Sequence, residues 1–491
     1  MSENQSSYRQ IMKATSIFGG VQVINIVIQI VRSKLIAVLL GTEGMGINGL
    51  FNSTISLIQT ISGFGIGTSS VKNIAAANAK DDKQQVAKVL SILRKLVWIT
   101  GMAGALFTLL FAKYLSQLTF GSDHYEIAFR WLSMSFLFNQ LSAGQRAALQ
   151  GLRKIKMLAS ANLMGAVLGL VISIPFYYFY HIDGIVPAII FTSISGMLIS
   201  WFFARKIHIE KVAVDGEMFR TESKEIISMG VMLSLSSFIA VLSSYVLRIY
   251  IGKYGSFSDV GLYTAGFNIV EGYVGIIFTA MSSDYYPRLS AVSNQLEKLK
   301  DTVTQQAEIA ILILTPIIVA FLLLAPIVIS VLYTKEFLPI TTMISIAILG
   351  MYFRAASWAM GFILYAKSDS KLFLKTAVFF NMAFLASNIL GYYLYGLTGL
   401  GLSFFINYIV HFIGLKIITA KRYKFSFLKG FKKLFITGFV FCIATFVVSL
   451  IDNDWIRYIL GLIIFFTASL FTLREMNKKM DIKNLLKRLK K

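Results

Sequence analysis

The sequence has few charged residues for its length. Of its 491 residues, 14% are charged and 56% are hydrophobic, and the mean hydropathy is +0.69. A typical soluble domain carries roughly 25% charged residues. Because so little charge cannot cover the water-facing surface of so long a chain, most residues must contact lipid or other apolar helices. The low charge excludes an ordinary soluble protein.

Cysteine and histidine are equally scarce. Cys442, the single cysteine, lies within an apolar run, which excludes a disulfide within the chain and a cysteine metal cluster. His411 alone among the histidines lies inside a predicted span, and we interpret it as a packing residue and not a proton relay. Walker-type glycine loops, nucleophile elbows and paired metal-binding histidines are absent from the sequence. These absences predict a protein that is not an enzyme and that carries no metal or cofactor.

Acidic residues are outnumbered by basic ones. The chain has 24 Asp and Glu against 47 Lys and Arg, a formal net charge of +23. A strongly basic chain often binds nucleic acid, but here the basic residues form short runs between apolar stretches. That pattern is typical of the positive-inside rule for membrane proteins, and it predicts no nucleic-acid partner.

Long apolar runs dominate the rest of the sequence. A helix needs about 20 apolar residues to cross the hydrocarbon core of a bilayer. Fourteen candidate spans lie near 16–40, 47–71, 89–112, 125–146, 158–180, 184–204, 226–251, 262–284, 306–332, 338–365, 372–395, 397–420, 434–451 and 455–473. The sequence therefore predicts an all-α integral membrane protein with about 14 transmembrane helices, and short gaps leave the count after residue 372 open.

Lysine and arginine divide unevenly between the two sides of these spans. One set of loops, together with both termini, holds 34 of the 47 basic residues, and the other set holds Lys113, Lys253 and Lys335. This asymmetry predicts that both termini are cytoplasmic. The basic tail 478–491 is either a helix on the anionic inner leaflet or an anchor that fixes the topology.

The sequence repeats itself at an offset of about 215 residues. The corresponding segments are YYFYHIDG 177–184 and YYLYGLTG 392–399, LQGLRKIKMLA 149–159 and LYAKSDSKLFL 364–374, GINGLFN 46–52 and GLYTAGFN 261–268, and Arg32 and Arg248. Such repeats are typical of transporters with the substrate path between two halves. We predict an N-terminal six-helix lobe (1–215), a C-terminal six-helix lobe (216–420) related to it by pseudo-two-fold symmetry, and two extra helices with the basic tail (421–491).

The first predicted span carries a stripe of polar residues. Gln22, Asn25, Gln29 and Arg32 are spaced by 3, 4 and 3 residues, which places them on one face of a helix. Polar side chains in lipid are costly. The stripe therefore lines a wet cavity or forms a seam against a neighbouring helix.

Three further charges lie inside later spans. Arg248 is near the outer end of the seventh span, where it either snorkels to the interface or faces a cavity. Arg354 is well inside the tenth span, so we expect it to face a cavity or a partner. Glu271, in the eighth span, is either the ion-pair partner of one of these arginines or a titratable coupling site. Because arginine forks match phosphate oxygens, this set of charges predicts an anionic substrate.

The chain resembles the O-antigen and oligosaccharide flippases of the multidrug/oligosaccharidyl-lipid/polysaccharide exporter superfamily. The resemblance is carried by IVRSKLIAVLLGTEGMGINGLFNS 31–54, ALQGLRKIK 148–156 and SSDYYPRLS 282–290, and it extends over the whole chain. It implies a bacterial inner-membrane protein that moves an undecaprenyl-diphosphate-linked oligosaccharide from the cytoplasmic to the periplasmic leaflet. It also implies that Arg32 and Arg248 line a cationic cavity and that Glu271 couples transport to an ion.

Several alternatives remain at this point. A lipid II flippase shares the lipid diphosphate, and a cation-coupled multidrug exporter would instead need carboxylates to dominate its membrane interior. A membrane enzyme such as an O-antigen polymerase usually has a large periplasmic loop, but the longest outward loops here have about a dozen residues. The sugar and the coupling ion (sodium or proton) are open, as is any cooperation with an O-antigen polymerase machinery.

Overall fold

The computed structural model describes residues 3–207, 212 and 215–480; the side chains of 3–23, Asn25, Ser283 and Met480 lie outside the description. The described residues form helices and no β-strand. The all-α prediction is therefore confirmed. The basic tail beyond residue 480 lies outside the described residues, so its two alternatives stay open.

Fifteen α-helices account for most of the described chain. In chain order they are α1 (Glu3–Gly63), α2 (Ile66–Ala79), α3 (Lys83–Leu110), α4 (Ala112–Phe120), α5 (Glu126–Gly151), α6 (Ile155–Tyr180), α7 (Ile185–Ala204), α8 (Gly216–Tyr254), α9 (Phe257–Phe267), α10 (Ile276–Ala291), α11 (Leu296–Leu332), α12 (Thr341–Ala366), α13 (Ser370–Tyr423), α14 (Phe431–Ser449) and α15 (Asp454–Met480). Short 3-10 helices span His181–Gly184 and Lys335–Ile340, and a π-helix spans Asn268–Val274.

Nine helical segments among the described residues are long and apolar enough to cross a membrane. This confirms a multi-pass membrane protein. The 54-residue α13 would be roughly 80 Å long if straight, far more than a bilayer core of about 30 Å. A backbone break at Tyr395 and Gly396 divides it, and a break at Gly41 divides α1. The count of fourteen spans stays a prediction.

The chain divides into two compact units, one of Ile28–Gly261 and one of Leu262–Lys491 together with Met1–Val27. These bounds come from contacts within each unit. The sequence predicts a different division, with boundaries at residues 215 and 420, and that division stays a prediction.

The unit Ile28–Gly261 is built around α2, α3, α5 and α8. Apolar side chains such as Ile66, Ile92 and Ile226 are fully buried where these helices meet, which removes their surfaces from lipid and solvent. Between α5 and α3, Gln140 donates from Nε2 to Thr100 Oγ1 at 3.0 Å.

The second unit packs α12, α14 and α15 around α11. Most residues of α11 and α12 are buried. Buried tyrosine hydroxyls donate hydrogen bonds to backbone carbonyl oxygens of neighbouring helices. Tyr285 donates to the Ala359 carbonyl at 2.7 Å, and Tyr352 donates to the Phe435 carbonyl at 2.7 Å. Each such bond satisfies a polar group that would be costly if it were buried alone.

Two segments that the sequence predicts to be repeat equivalents cross at a pair of glycines within Ile28–Gly261. A Cβ on Gly46 would lie 1.8 Å from the Phe257 carbonyl oxygen, and one on Gly261 would lie 1.9 Å from the Thr42 carbonyl oxygen. Thr42 Oγ1 also donates to Ser258 Oγ at 3.2 Å. Because each segment approaches its partner through its own glycine, the contact is reciprocal, as expected at a two-fold axis.

The glycines of the segment SGFGIGTSS 62–70 provide both a bend and a close approach. Gly65 has φ 62°, and it separates α1 from α2. A Cβ on Gly65 would lie 2.2 Å from the carbonyl oxygen of Gly230 in α8. Only a residue without a side chain fits there.

Candidate functional site

Glu271 lies in the π-helix Asn268–Val274, between α9 and α10. A π-helix is rare and occurs mostly as a single widened turn, often at a functional site. Without surrounding lipid, the Glu271 side chain is 46% exposed. The widened turn therefore presents a carboxylate within a segment that is otherwise apolar.

Arg354 of α12 is the partner of Glu271. Its Nη1 donates to Glu271 Oε1 at 3.1 Å, which forms an ion pair between side chains 83 positions apart. The Arg354 side chain is 26% exposed, so the pair is only partly shielded from its surroundings. Of the two arginines that the sequence offers as partners of Glu271, the structure pairs Arg354.

Aromatic rings enclose the Arg354 guanidinium. Its Cζ lies 5.4 Å from the centroid of Phe278 and 5.3 Å from that of Tyr408. Cations are attracted to ring faces at these distances. The arginine is therefore held by one carboxylate and two rings.

A cavity of about 810 Å³ lies between α10, α12 and α13, and its lining on α12 begins at Ser357, one turn after Arg354; neither Glu271 nor Arg354 lines it. Its walls are largely aromatic, with Trp358, Phe362 and Tyr365 on one side and Phe380 on another. His411 also lines it and packs edge-on against Phe380, with ring centroids 4.5 Å apart. His411 therefore packs among rings, but its buried Nδ1 has no hydrogen-bond partner among the described residues, so its interpretation as a packing residue stays a prediction.

Arg248 is half-buried near the end of α8, in the unit Ile28–Gly261. It donates to the carbonyl oxygen of Ser244 at 3.2 Å and also to the hydroxyl of that residue, one turn earlier on the same helix. These local bonds orient the guanidinium along α8. Whether it snorkels or faces a cavity stays a prediction.

Arg32 is half-buried on α1 and Gln29 is exposed, and both belong to the same unit as Arg248. Gln22 and Asn25 fall within α1, but their side chains lie outside the described residues. The polar stripe is helical, as predicted. Its role in substrate binding stays a prediction.

Two features of this site have no clear signal in the sequence. The π-helix is one, although Gly272 within it and Gly275 directly after it mark a locally weak helix. The aromatic enclosure of Arg354 is the other, since Phe278 and Tyr408 come from different helices, α10 and α13. Within the described residues, no group of three His, Cys, Asp or Glu side chains is placed to hold a metal ion.

Known proteins share this fold. An inward-facing multidrug resistance transporter of the MATE family has a TM-score of 0.69 at 17% identity, and covers 82% of this chain and 96% of its own. The lipid II flippase MurJ in an inward closed conformation has a TM-score of 0.69 at 15% identity, and the match covers 94% of this chain and 99% of MurJ. The fold is therefore that of the superfamily to which the sequence resemblance points.

Two curated relatives and a family model indicate the family of this chain. The lipid III flippases of Escherichia coli (strain K12) and Shigella flexneri are each 22% identical to the chain over 280 residues. The match spans 55% of this chain and 65% of each relative, slightly under two thirds of their length. The family model described as "Polysaccharide biosynthesis protein" matches residues 35–342. Since this is more than half of the sequence, the chain belongs to the polysaccharide biosynthesis protein family.

Proposed function

We propose that this protein is a flippase for an undecaprenyl-diphosphate-linked oligosaccharide, either an O-antigen unit or a related surface polysaccharide unit. It moves its substrate from the cytoplasmic to the periplasmic leaflet of the bacterial inner membrane by alternating access, driven by an ion gradient. The observation that carries this proposal is the sign of the charge inside the predicted spans.

Glu271 is the only carboxylate well inside a predicted span, and it is neutralised by Arg354 at 3.1 Å. Arg32 and Arg248 add further positive charge within the spans. An interior of this sign attracts an anion and disfavours an organic cation. Arginine is also the residue that binds two phosphate oxygens at once, which suits a diphosphate.

The comparisons support the same substrate class. The chain belongs to a polysaccharide biosynthesis family, and two relatives carry the name lipid III flippase. A polyprenyl tail stays in lipid while its head group crosses, so only the diphosphate and sugars need a polar path. The aromatic cavity between α10, α12 and α13 offers ring faces of the kind on which sugars stack.

Complementation tests the proposal. The chain is expressed in a bacterium that lacks its O-antigen flippase, and surface polysaccharide is measured beside the variants Arg32→Gln and Arg32→Lys. We expect the intact chain to restore surface glycan, Arg32→Gln to lose it, and Arg32→Lys to retain part of it, because lysine keeps the charge without the fork.

A matched control separates phosphate binding by Arg32 from a general need for basic residues in the spans. Arg130 also lies within a predicted span but forms a local pair with Glu126 at 2.6 Å. Arg130→Gln should restore glycan like the intact chain. Equal loss of surface glycan in Arg32→Gln and Arg130→Gln, at equal membrane levels of the two variants, would contradict phosphate binding by Arg32.

Two further arms address the alternatives. Rescue of a strain depleted of its lipid II flippase, without restored surface glycan, would favour lipid II as substrate. Resistance to cationic drugs that depends on Glu271 would favour a multidrug exporter. In reconstituted vesicles, movement of a polyprenyl-diphosphate saccharide that responds to a sodium or proton gradient would identify the coupling ion.

A further inference from the structure

A second cavity lies in the unit Ile28–Gly261, away from the residues discussed so far. It has a volume of about 620 Å³ and is formed by α3, α5 and the end of α7. In the predicted orientation, these parts of the three helices lie at the cytoplasmic side of the membrane. The cavity therefore lies at the level of the inner leaflet.

Two arginines line this cavity from different helices. Arg94 comes from α3, and Arg205 directly follows α7. The Arg205 guanidinium stacks on Trp201, with its Cζ 4.7 Å from the ring centroid. Stacking uses the face of the guanidinium and leaves the N–H groups at its edge to bind an acceptor.

Both arginines lack an acidic partner within the described part of the chain. A basic side chain close by is paired, since Lys88 contacts Glu222 at 2.7 Å. No described carboxylate forms an ion pair with Arg94 or Arg205. Among the described residues the cavity therefore has two positive charges without a counter-charge, which favours an anion as its ligand.

A polar group and apolar walls complete the site. Gln145 of α5 accepts a hydrogen bond from Ser200 through its Oε1, so its NH₂ group is the end that remains to donate. Leu93 and Val97 supply apolar surface, and Trp98, which is 48% exposed, lies beside them at the rim. Tryptophan is enriched where lipid head groups meet hydrocarbon.

We propose that this cavity binds the phosphate of an anionic phospholipid from the inner leaflet. Arg94 and Arg205 hold the phosphate oxygens, Gln145 donates to the same head group, and the acyl chain lies along Leu93 and Val97. Basic pockets between membrane helices on the cytoplasmic side suit such head groups. A free phosphate would use the charges but leave the apolar walls without a partner.

Lipid binding to the purified full-length protein in detergent tests the proposal. Native mass spectrometry is used to titrate phosphatidylglycerol, phosphatidylethanolamine with the same acyl chains, and inorganic phosphate. The variant Arg94→Gln/Arg205→Gln is compared with Lys95→Gln/Lys206→Gln, which removes the same charge one residue further along each segment. We expect the arginine variant to weaken phosphatidylglycerol binding about tenfold or more, and the lysine variant to leave it near the intact value.

Each outcome has a defined meaning. Equal weakening in both variants would reduce the effect to general charge attraction and overturn the site. Binding of inorganic phosphate as tight as that of phosphatidylglycerol would overturn the lipid assignment, as would stronger competition by a polyprenyl diphosphate. Melting in lipid-free detergent checks that both variants fold. Because binding and not transport is measured, the result is independent of the proposed flippase activity.

Discussion

The turns that follow α6 and divide α13 use the same backbone conformation with different residues. His181 has φ 49° and ψ −124°, and Gly396, which lies 215 positions later, has φ 55° and ψ −139°. Glycine adopts this region without cost, whereas another residue held there stores about 1–3 kcal/mol of strain. The first turn therefore carries strain that the second avoids.

Replacing His181 with glycine should stabilise the protein. The strain of about 1–3 kcal/mol is removed, and the greater freedom of glycine in the unfolded chain returns roughly 0.5–1 kcal/mol of it. We expect a net gain of about 1 kcal/mol from His181→Gly. His181 is exposed, so little packing is lost with its ring. His181→Ala, which removes the ring but keeps the strain, is the matched control and should not stabilise.

The reverse change should destabilise. A Cβ on Gly396 would meet no atom within 4 Å, so Gly396→Ala introduces backbone strain without a clash. The strain of about 1–3 kcal/mol is offset by the roughly 0.5–1 kcal/mol that the lost freedom of the unfolded chain contributes, so the expected net loss is about 1 kcal/mol. Thermal unfolding of the four proteins in one detergent, followed by intrinsic fluorescence, gives the order of stability. If His181→Gly melts no higher than His181→Ala, the strain argument fails.

Three other predictions concern packing and charge. Gly46→Ala places its Cβ 1.8 Å from a backbone oxygen of the crossing helix and should cost about 1–3 kcal/mol of stability, whereas Gly67→Ala, with open space around it, should be neutral by the same melting assay. Arg354→Gln and Glu271→Gln should each lower stability, and the double variant should lose less than their sum; additive losses would contradict a direct ion pair. The hydrogen bond from the Leu372 backbone N–H, in the first turn of α13, is the main cause that lowers the pKa of Asp369, so Asp369→Ala should be less stable at neutral pH. That difference should shrink as pH falls below the ordinary aspartate range, since protonation then removes the contribution from the intact protein too.

The internal repeat shows which local features of the fold can be predicted from the sequence. Arg153 and Ser368, which occupy matching positions in two predicted repeat motifs, have φ values of 56° and 54°. The next residues, Lys154 and Asp369, are the N-caps of α6 and α13 and have similar dihedral angles. Because turn geometry is local, corresponding sequences yield corresponding turns even where the residues differ.

Long-range pairing could not be predicted in the same way. The sequence offers Glu271 more than one arginine as an ion-pair partner, and only the packing of α12 beside the π-helix selects Arg354. Similarly, Arg248 bonds within its own helix because Ser244 lies one turn away, a spacing visible in the sequence but not decisive. Such choices depend on tertiary contacts that no single segment encodes.

The repeat also separates the interior charges into two kinds. In the predicted repeat, Arg32 and Arg248 occupy equivalent positions, 216 residues apart, so each predicted half contributes an arginine. Glu271 and Arg354 have no charged counterpart, since residues 55, 56 and 139 at the matching positions of the first half are neutral. We infer that the symmetric arginines suit a diphosphate with two similar phosphates, whereas the pair found in one half suits ion coupling. On this reasoning, Arg32→Gln should weaken substrate binding itself, and Glu271→Gln should abolish the response to the gradient while leaving binding intact.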